Sequence, residues 1–558
     1  MSSTPYNEKK ASDFTGLDNM STSSATSGRN PPTTANNGLR PTLPHGQVRG
    51  RIFTPMLVYS MVVAGMSAAS FGYENSVISP LVALPSFVDR YQGVDQAQGG
   101  LVFSTKNQNL LISLPLVGTI LGACLAAPLQ NALGRKWALM VCYAFSLPAV
   151  FLELFAPNLG AFIGGRLWNG LSYGAALAIG PLMLADLVPV QIRGFSVSSA
   201  NFLTILASLI ATITVYRTEK IRGDNSYKIP LAIQCAIPAV LLFSTIWIPE
   251  SPVHLVNKGR MVDARRVLRR LRAFSDEEVD QELALIKQVE DERRVWNAEV
   301  RFTDIFAKAQ RARTIFIGGL FSLNQISGII LSTTYATLFL TDLGVAAPFT
   351  LTVIAATTQL IGTLTAPFAV EKLGRRPLAM YGMCSLIVID FIAGGLAFGH
   401  GAQNAKAIAA LSFIFNWVWT SSFYALSLLL PSEASTPRLR NPTMSYAIAW
   451  GQTTAVITAF AVPRLTNKDS ANLGAKTYLI FGGCMVLITL WSYISLPETK
   501  NRTAAEIDEL YESGIPKRHW AGHVCQTSMK SQSRVEQEHE MEMEIELEKA
   551  PGAAAVMV

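Results

Sequence analysis

The chain has 558 residues, of which 50% are hydrophobic and only 15% are charged, and its mean hydropathy is +0.30. Soluble domains carry roughly 25% charged residues, so the apolar excess predicts membrane-spanning segments rather than a large soluble core. The net charge of +7 comes from basic residues in predicted loops and tails, which excludes a compact basic domain and with it nucleic acid as a partner.

No CxxC, HExxH or Walker signature occurs in the chain. Five cysteines lie inside apolar runs and Cys525 near the C-terminal end, without the spacing of a metal site or a disulfide framework. We therefore expect no enzymatic activity, no cofactor and no metal.

Residues 1–50 are rich in Ser, Thr, Asn, Pro and Gly and contain almost no apolar clusters. Such a segment cannot bury enough apolar surface to offset the entropy of ordering, so we predict a disordered cytoplasmic N-tail.

Apolar runs follow, each near the roughly 20 residues that a helix needs to cross a bilayer. Within residues 51–248 the predicted spans are 56–79, 108–130, 137–156, 160–188, 196–216 and 229–248. Within residues 314–496 they are 314–340, 349–370, 377–399, 405–431, 443–463 and 477–496. The sequence thus predicts an all-α membrane protein of twelve transmembrane helices in two six-helix halves.

Residues 249–313 form the long charged segment between the two apolar halves. Ala264, Val267, Leu268 and Leu271 share one helical face, which predicts a helical cytoplasmic linker rather than the alternative, a plain solvated connection. The motifs Gly134-Arg135-Lys136 and Gly374-Arg375-Arg376 each follow the second run of their half. A hydrophilic linker between two similar halves is typical of a secondary transporter.

Residues 497–558 leave the membrane as a predicted cytoplasmic C-tail, in which Glu536–Lys549 alternates Glu with Met, Leu and Ile. We predict a disordered acidic segment there, with a partner-binding helix as the alternative. Lys and Arg in the linker and in most short loops fall on one side of the predicted topology, which places both termini in the cytoplasm.

Charged residues inside spans are costly in a bilayer and are therefore candidates for function. Glu74 lies in span 1 and Arg166 opens span 4. Burial favours the neutral carboxyl and a nearby arginine favours the carboxylate, so a moving arginine can switch proton binding. The alternative is a static ion pair. For Asp390 and Glu153, which have no evident partner in the sequence, we favour a packing role.

Several motifs together resemble the sugar porter family of the major facilitator superfamily, and its fungal members in particular. They are the two Gly-Arg loops, Pro249-Glu250-Ser251-Pro252, and the run that begins Pro497-Glu498-Thr499-Lys500. The resemblance extends from about residue 56 to 520 and implies the major facilitator fold.

The resemblance implies a role for each matching residue. Glu74 stands where proton symporters of the family carry the proton-binding Asp, and Arg166 is its partner. Two clusters of loop charges correspond to the family's cytoplasmic gate: Arg135, Lys136, Asp186 and Arg193 in the first half, and Glu371, Arg375, Arg376, Glu433, Arg438 and Arg440 in the second. Asn131 replaces the usual Asp of the first loop and Asp186 replaces Glu, so the first cluster is expected to hold less tightly.

The resemblance also implies a set of substrate-binding residues: Asn201, Asn324, Gln325, Tyr335, Asn416, Trp450 and Gln452. Amides are costly in lipid unless they face a cavity or a partner, and amides can match sugar hydroxyls. The sequence departs from a common hexose pocket at Ile330, Leu428, Tyr424-Ala425 and Pro181-Leu182-Met183. Stretches such as Ala185–Gly194 and Tyr227–Gln234 are similar to fungal maltose and α-glucoside permeases.

We therefore expect a plasma-membrane importer of a sugar, a hexose or an α-glucoside such as maltose, coupled to protons by alternating access. Its partners are the sugar, the proton and the lipid bilayer. Two alternatives remain from the sequence: a transporter of a non-sugar fungal metabolite, favoured by the more apolar pocket, and a non-transporting sugar sensor, disfavoured by the short C-tail.

Overall fold

The computed structural model describes residues 53–94, 101–189, 192–299, 301–342, 347–399, 401–436, 439–500, 502 and 504–526. The predicted N-tail and the acidic segment Glu536–Lys549 lie outside these residues.

The first half begins where Thr54 caps a helix. Its side chain accepts a hydrogen bond from the Leu57 amide at 3.1 Å, and Pro55 occupies the first helical position, where no amide hydrogen is needed. The helices of this half are α1 Pro55–Val82, α2 Pro85–Tyr91, α3 Thr105–Leu133, α4 Arg135–Leu154, α5 Leu159–Leu187, α6 Arg193–Thr218 and α7 Asn225–Thr245.

Short helices make up the segment between the halves: α8 Pro252–Asn257, α9 Met261–Leu271 and α10 Asp276–Glu299. Ser275 and Glu278 form the predicted capping box, since the Glu278 amide donates to Ser275 Oγ and Glu278 accepts from the Ser275 amide. Ala264, Leu268 and Leu271 of α9 are buried, as their shared face predicted. The segment is therefore helical and packs against the bundle.

The second half consists of α11 Arg311–Ile326, α12 Ile329–Ser332, α13 Ala336–Asp342, α14 Pro348–Leu373, α15 Arg375–Leu396, α16 Ala402–Trp419, α17 Ala425–Ala434, α18 Arg440–Thr466 and α19 Thr477–Ser495. The predicted span 314–340 is not one continuous helix but is divided among α11, α12 and α13. Gly328 adopts a left-handed φ of 84°, which ends α11, and the chain breaks again between α12 and α13. The span 405–431 is likewise interrupted by a π-helical turn over Thr420–Tyr424.

Among the described residues, eleven helices are long and apolar enough to cross a membrane. The remaining predicted span corresponds to α18, which has 27 residues but is more polar, with Gln452 and several threonines along its length. Helix α18 packs against α3 and α11, and its Thr454 and Thr458 are buried in the protein. It accounts for the twelfth predicted span.

Helices α3 and α5 approach so closely that glycine is required at their contact. A Cβ atom on Gly122 would lie 2.1 Å from the Leu171 carbonyl oxygen, and one on Gly174 would lie 2.5 Å from that of Thr119. Small residues that let backbones meet are the usual means of packing helices in a membrane. The rigid α3–α5 pair holds Arg166, on α5, in place.

We expect Gly122→Ala to lower the melting temperature of the detergent-solubilised protein, because the added methyl group meets backbone atoms that cannot move aside. The cost of such overpacking is typically about 1–3 kcal/mol. Gly164→Ala on α5 is the matched control, since a Cβ there meets nothing within 4 Å. Equal melting temperatures for the two variants would contradict the close contact.

The two halves meet along α3 with α18 and along α6 with α14. Hydrogen bonds join the start of α3 to the loop that follows α18. Asn467 Nδ2 in that loop donates to Thr105 Oγ1 at 3.0 Å and to Gln108 Oε1 at 2.8 Å. Asp469 accepts from the Thr105 amide at 2.9 Å. These polar contacts join the halves at that end of the bundle.

The first part of the predicted C-tail is folded. Helix α20 (Ala504–Glu512) and a 3-10 turn over Lys517–Gly522 enclose Trp520, which is buried. Asp508 forms an ion pair with Arg313 at the start of α11. Burial over the Phe316 and Tyr511 rings, and secondarily the charge of Arg313, lower the pKa of Lys517 to about 8.

A buried carboxylate and arginine cluster as the candidate functional site

Glu74 lies on α1 at the centre of a buried polar cluster. Its carboxylate forms an ion pair with Arg166 of α5, and both residues are only 2% exposed. Asn169 Nδ2 donates to Glu74 Oε2 at 2.8 Å, and Gln234 of α7 donates to the same oxygen. An ion pair survives burial only when further hydrogen bonds satisfy its remaining polar atoms, and this cluster supplies several.

The orientation of the Asn169 amide is set from α4. Ser146 Oγ donates to Asn169 Oδ1 at 2.6 Å, which leaves the amide nitrogen to face Glu74. Asn169 and Gln234 were not among the residues singled out from the sequence. Amides in spans are common as packing contacts, so only the position of Asn169 one turn after Arg166 could have indicated its role.

Glu153 of α4 joins the same cluster, because Gln234 Nε2 donates to Glu153 Oε2 at 3.1 Å. The sequence showed no evident partner for Glu153; the structure supplies one, Gln234, on a helix that is distant in sequence. In contrast, neither carboxylate oxygen of Asp390 has a hydrogen-bond partner among the described residues. Asp390 remains isolated on α15 in the second half.

A cavity of about 10 Å³ borders the cluster, lined by Glu74, Asn169, Tyr173 and Gln234 among others. This is roughly the volume that a single water molecule requires. The site is thus closed around its charges in this conformation, with no space for a sugar beside Glu74.

The first predicted gate cluster is assembled around α4. Arg135 forms an ion pair with Asp186 at 2.5 Å, and Asp186 also accepts from Ser251 Oγ at 2.7 Å. Glu250 accepts from the backbone amides of Arg135 and Lys136 at 2.9 and 3.2 Å. A carboxylate at these unpaired amides stabilises the start of the helix.

The second half repeats this arrangement around α15. Arg375 pairs with Glu433 at 2.7 Å, and Glu433 accepts from Thr499. Glu498 accepts from the amides of Arg375 and Arg376 at 3.1 and 3.0 Å. The acids of the two Pro-Glu motifs therefore cap equivalent helices, a role that the sequence did not indicate.

Four predicted gate residues are not placed in these clusters. Glu371 is exposed near the end of α14. Arg438 lies outside the described residues, as do the side chains of Arg193 and Arg440. Their predicted gate role stays a prediction.

Three of the predicted substrate-binding residues are buried in the second half. Asn416 Nδ2 donates to the Ser332 carbonyl at 3.3 Å, and its Oδ1 accepts from Gln359 at 3.4 Å. Tyr335 donates to the Ala459 carbonyl at 2.9 Å. Asn324 Oδ1 is buried without a hydrogen-bond partner in the described part of the chain. Asn324 thus retains an unused acceptor near the break at Gly328.

The remaining four residues are more accessible. Asn201, Gln325 and Gln452 are half-buried, and Trp450 is exposed and stacks on Tyr446 with ring centroids 6.4 Å apart. Across the described ranges, no hydrogen bond joins any two of the seven predicted residues. The amides of Asn201, Gln325 and Gln452, on α6, α11 and α18, could hydrogen-bond a solute between the halves. In this conformation, within the described part of the chain, the seven predicted residues do not contact one another through hydrogen bonds.

One further pattern lies within the first half. Gly170–Gly174 reads Gly-x-Ser-x-Gly, a spacing also found at hydrolase nucleophiles. In this chain it lies within α5, where Ser172 Oγ donates to the Trp168 carbonyl at 3.3 Å. The strand-to-helix turn that such a nucleophile needs does not exist at this position, and the glycines serve helix packing instead.

The fold and the cluster define a polytopic membrane transporter, and sequence comparison gives its family. Residues 60–511 match the family described as "Sugar (and other) transporter", so the chain belongs to that family. The chain is 27% identical to the major facilitator-type transporter ecdD of Aspergillus rugulosus, over 83% of this chain and 88% of that protein. It is 26% identical to the general alpha-glucoside permease of Saccharomyces cerevisiae, over 83% of this chain and 76% of that protein.

Solved structures show the same fold. The inward open conformation of the xylose transporter XylE from E. coli superposes with a TM-score of 0.67 at 21% identity, covering 81% of this chain and 99% of that one. The all-α major facilitator fold predicted from the sequence is confirmed, and so is the resemblance to fungal relatives.

Proposed function

We propose that the chain imports a sugar together with protons across the plasma membrane, by alternating access between its two halves. Both termini and the linker face the cytoplasm in this proposal. The observation that carries it is the Glu74–Arg166 pair, which lies among four helices of the first half, α1, α4, α5 and α7, and is almost completely buried.

The physical basis of coupling is competition for the Glu74 carboxylate. While Arg166 is hydrogen-bonded to Glu74, the arginine supplies the positive charge that the buried carboxylate needs. If α5 shifts relative to α1 during the transport cycle, Glu74 loses that partner, and taking up a proton restores its neutrality. A proton is therefore bound in one conformation and released in the other.

An α-glucoside such as maltose is the substrate class that we favour. Curated relatives include alpha-glucoside permeases of Saccharomyces cerevisiae. The half-buried amides Asn201, Gln325 and Gln452, with the unpaired acceptor of Asn324, supply donors and acceptors for sugar hydroxyls. Contacts of Asn467 with Thr105 and Gln108 join the halves at one end, as a transporter closed on that side requires.

The test is uptake of radiolabelled maltose and glucose into yeast that lacks its own sugar transporters, with and without a proton ionophore. Maltose uptake that the ionophore abolishes is the expected result. Glucose uptake that survives the ionophore would contradict proton coupling and would leave Glu74–Arg166 as a structural ion pair.

A second candidate function is transport of a less polar solute by the same cycle. Ile330 is buried, and the Tyr424 ring packs at a tilt against Trp419 with ring centroids 5.4 Å apart, so the second half has apolar side chains near its predicted pocket. Absence of uptake of either sugar, by protein shown to reach the cell surface, would favour this candidate.

A further inference from the structure

Two carboxylates share one cation in the cluster of the first half. Glu74 and Glu153 both lie within it and are almost completely buried, and Gln234 Nε2 donates to both. Arg166 is the cation paired with Glu74. If both acids were ionised, the cluster would carry a net negative charge inside the membrane, which is costly without a counter-ion.

The two acids differ in the number of hydrogen bonds that they accept. Glu74 accepts from Arg166, Asn169 and Gln234, so both of its oxygens are satisfied. Among the described residues, the one hydrogen bond to Glu153 within ordinary geometry comes from Gln234 Nε2 at 3.1 Å, and Glu153 Oε1 accepts none. The donors that stabilise a carboxylate are thus concentrated on Glu74.

Among the residues that the structure describes, the surroundings of Glu153 offer no positive charge besides Arg166. The titratable and charged groups that face it from neighbouring helices are Glu74 of α1, Arg166 and Tyr173 of α5, and Cys235 of α7. In the part of the chain that the structure describes, Arg166 is the only cation in that set. Gly165 closes the remaining side, since a Cβ there would lie 2.9 Å from Glu153 Cγ. Glu153 is fully buried, so bulk solvent does not reach its carboxyl group.

From this arrangement we propose that Glu153 is a second proton-binding group, and that it carries a proton while Glu74 is ionised against Arg166. The cluster is then electrically neutral: one carboxylate, one guanidinium and one neutral acid. This inference deepens the proposed function, on which it rests, because it makes Glu74 the only ionised acid at the coupling site. When Arg166 separates from Glu74, no second carboxylate competes for the arginine.

The experiment is infrared spectroscopy of the purified full-length chain in lipid nanodiscs near neutral pH, which requires no substrate. A protonated carboxylic acid absorbs at a frequency distinct from that of a carboxylate. The spectrum of the native chain minus that of Glu153→Gln is expected to show a lost carboxylic acid band. A lost carboxylate band in its place would overturn the proposal.

Two matched measurements separate Glu153 from other buried acids. Asp390→Asn removes the isolated acid of the second half, and the band that Glu153→Gln removes is expected to persist in it. Labelling the native chain with carbon-13 at glutamate carboxyls is expected to shift that band, and this measurement needs no variant to fold. If no carboxylic acid band of the native chain shifts with the label, no glutamate is protonated, and the proposal is overturned.

The infrared experiment can fail or succeed independently of the proposed transport function. The infrared experiment reports the protonation of Glu153 whether or not a sugar is transported. Conversely, sugar uptake insensitive to the ionophore would reject proton coupling and would leave the protonation of Glu153 as a structural property of the cluster.

Discussion

Glu74→Gln is expected to abolish uphill sugar accumulation, so that the internal concentration rises only to the external one. The amide keeps the size of the side chain and can still face Asn169 and Gln234, but it can neither bind a proton nor carry the charge that attracts Arg166. Exchange of labelled for unlabelled sugar across the membrane is expected to continue, because it requires the conformational cycle without net proton movement. Accumulation and exchange are measured in the same yeast cells.

The control for this variant is Glu277→Gln on the exposed surface of α10, which removes an acid of the same length from the linker. It is expected to accumulate sugar as the native chain does. Undiminished uphill uptake by Glu74→Gln, at equal amounts of protein in the membrane, would reject Glu74 as a coupling residue.

Arg166→Met is expected to destabilise the protein more than Gly122→Ala does. The methionine leaves the Glu74 carboxylate buried without a cation, and breaking a buried ion pair by removing one partner typically costs about 3–5 kcal/mol. The thermal unfolding of the purified protein in detergent measures this loss. Arg222→Met, at an exposed loop arginine, is the control and is expected to change stability by less than about 0.5 kcal/mol.

The double variant Arg166→Met with Glu74→Gln identifies the cause. If the uncompensated charge of Glu74 is responsible, removing that charge restores part of the lost stability, and the two changes are not additive. Additive losses would indicate that Arg166 acts through packing alone.

The order of the membrane spans could be predicted from the sequence, because each span must bury a length of apolar side chains set by the bilayer thickness. The break at Gly328 and the π-helical turn at Thr420–Tyr424 could not be predicted. Such breaks depend on neighbouring helices that satisfy the freed backbone groups, and apolar composition does not report them.

The residues of the candidate site likewise fall into those that the sequence indicated and those that only the structure shows. Glu74 and Arg166 were visible because charges in spans are rare, and the structure brings the two together. The partner of Glu153 was not visible, since Gln234 lies 81 positions away and an amide in a span has many uses. The capping acids Glu250 and Glu498 stood in recognisable motifs, but the motifs do not say which amides they bind.

By itself, therefore, the sequence determined that this protein spans a membrane repeatedly, in two related halves, with an acid and an arginine inside the first. Those features follow from composition and from the high cost of burying charge. Only the tertiary structure decided that a second acid, Glu153, shares the amide of Gln234 with Glu74, and that Arg166 is the cation beside them among the described residues. Hydrogen bonds between helices depend on the relative rotation of α1, α4, α5 and α7, which packing sets and which no local pattern encodes.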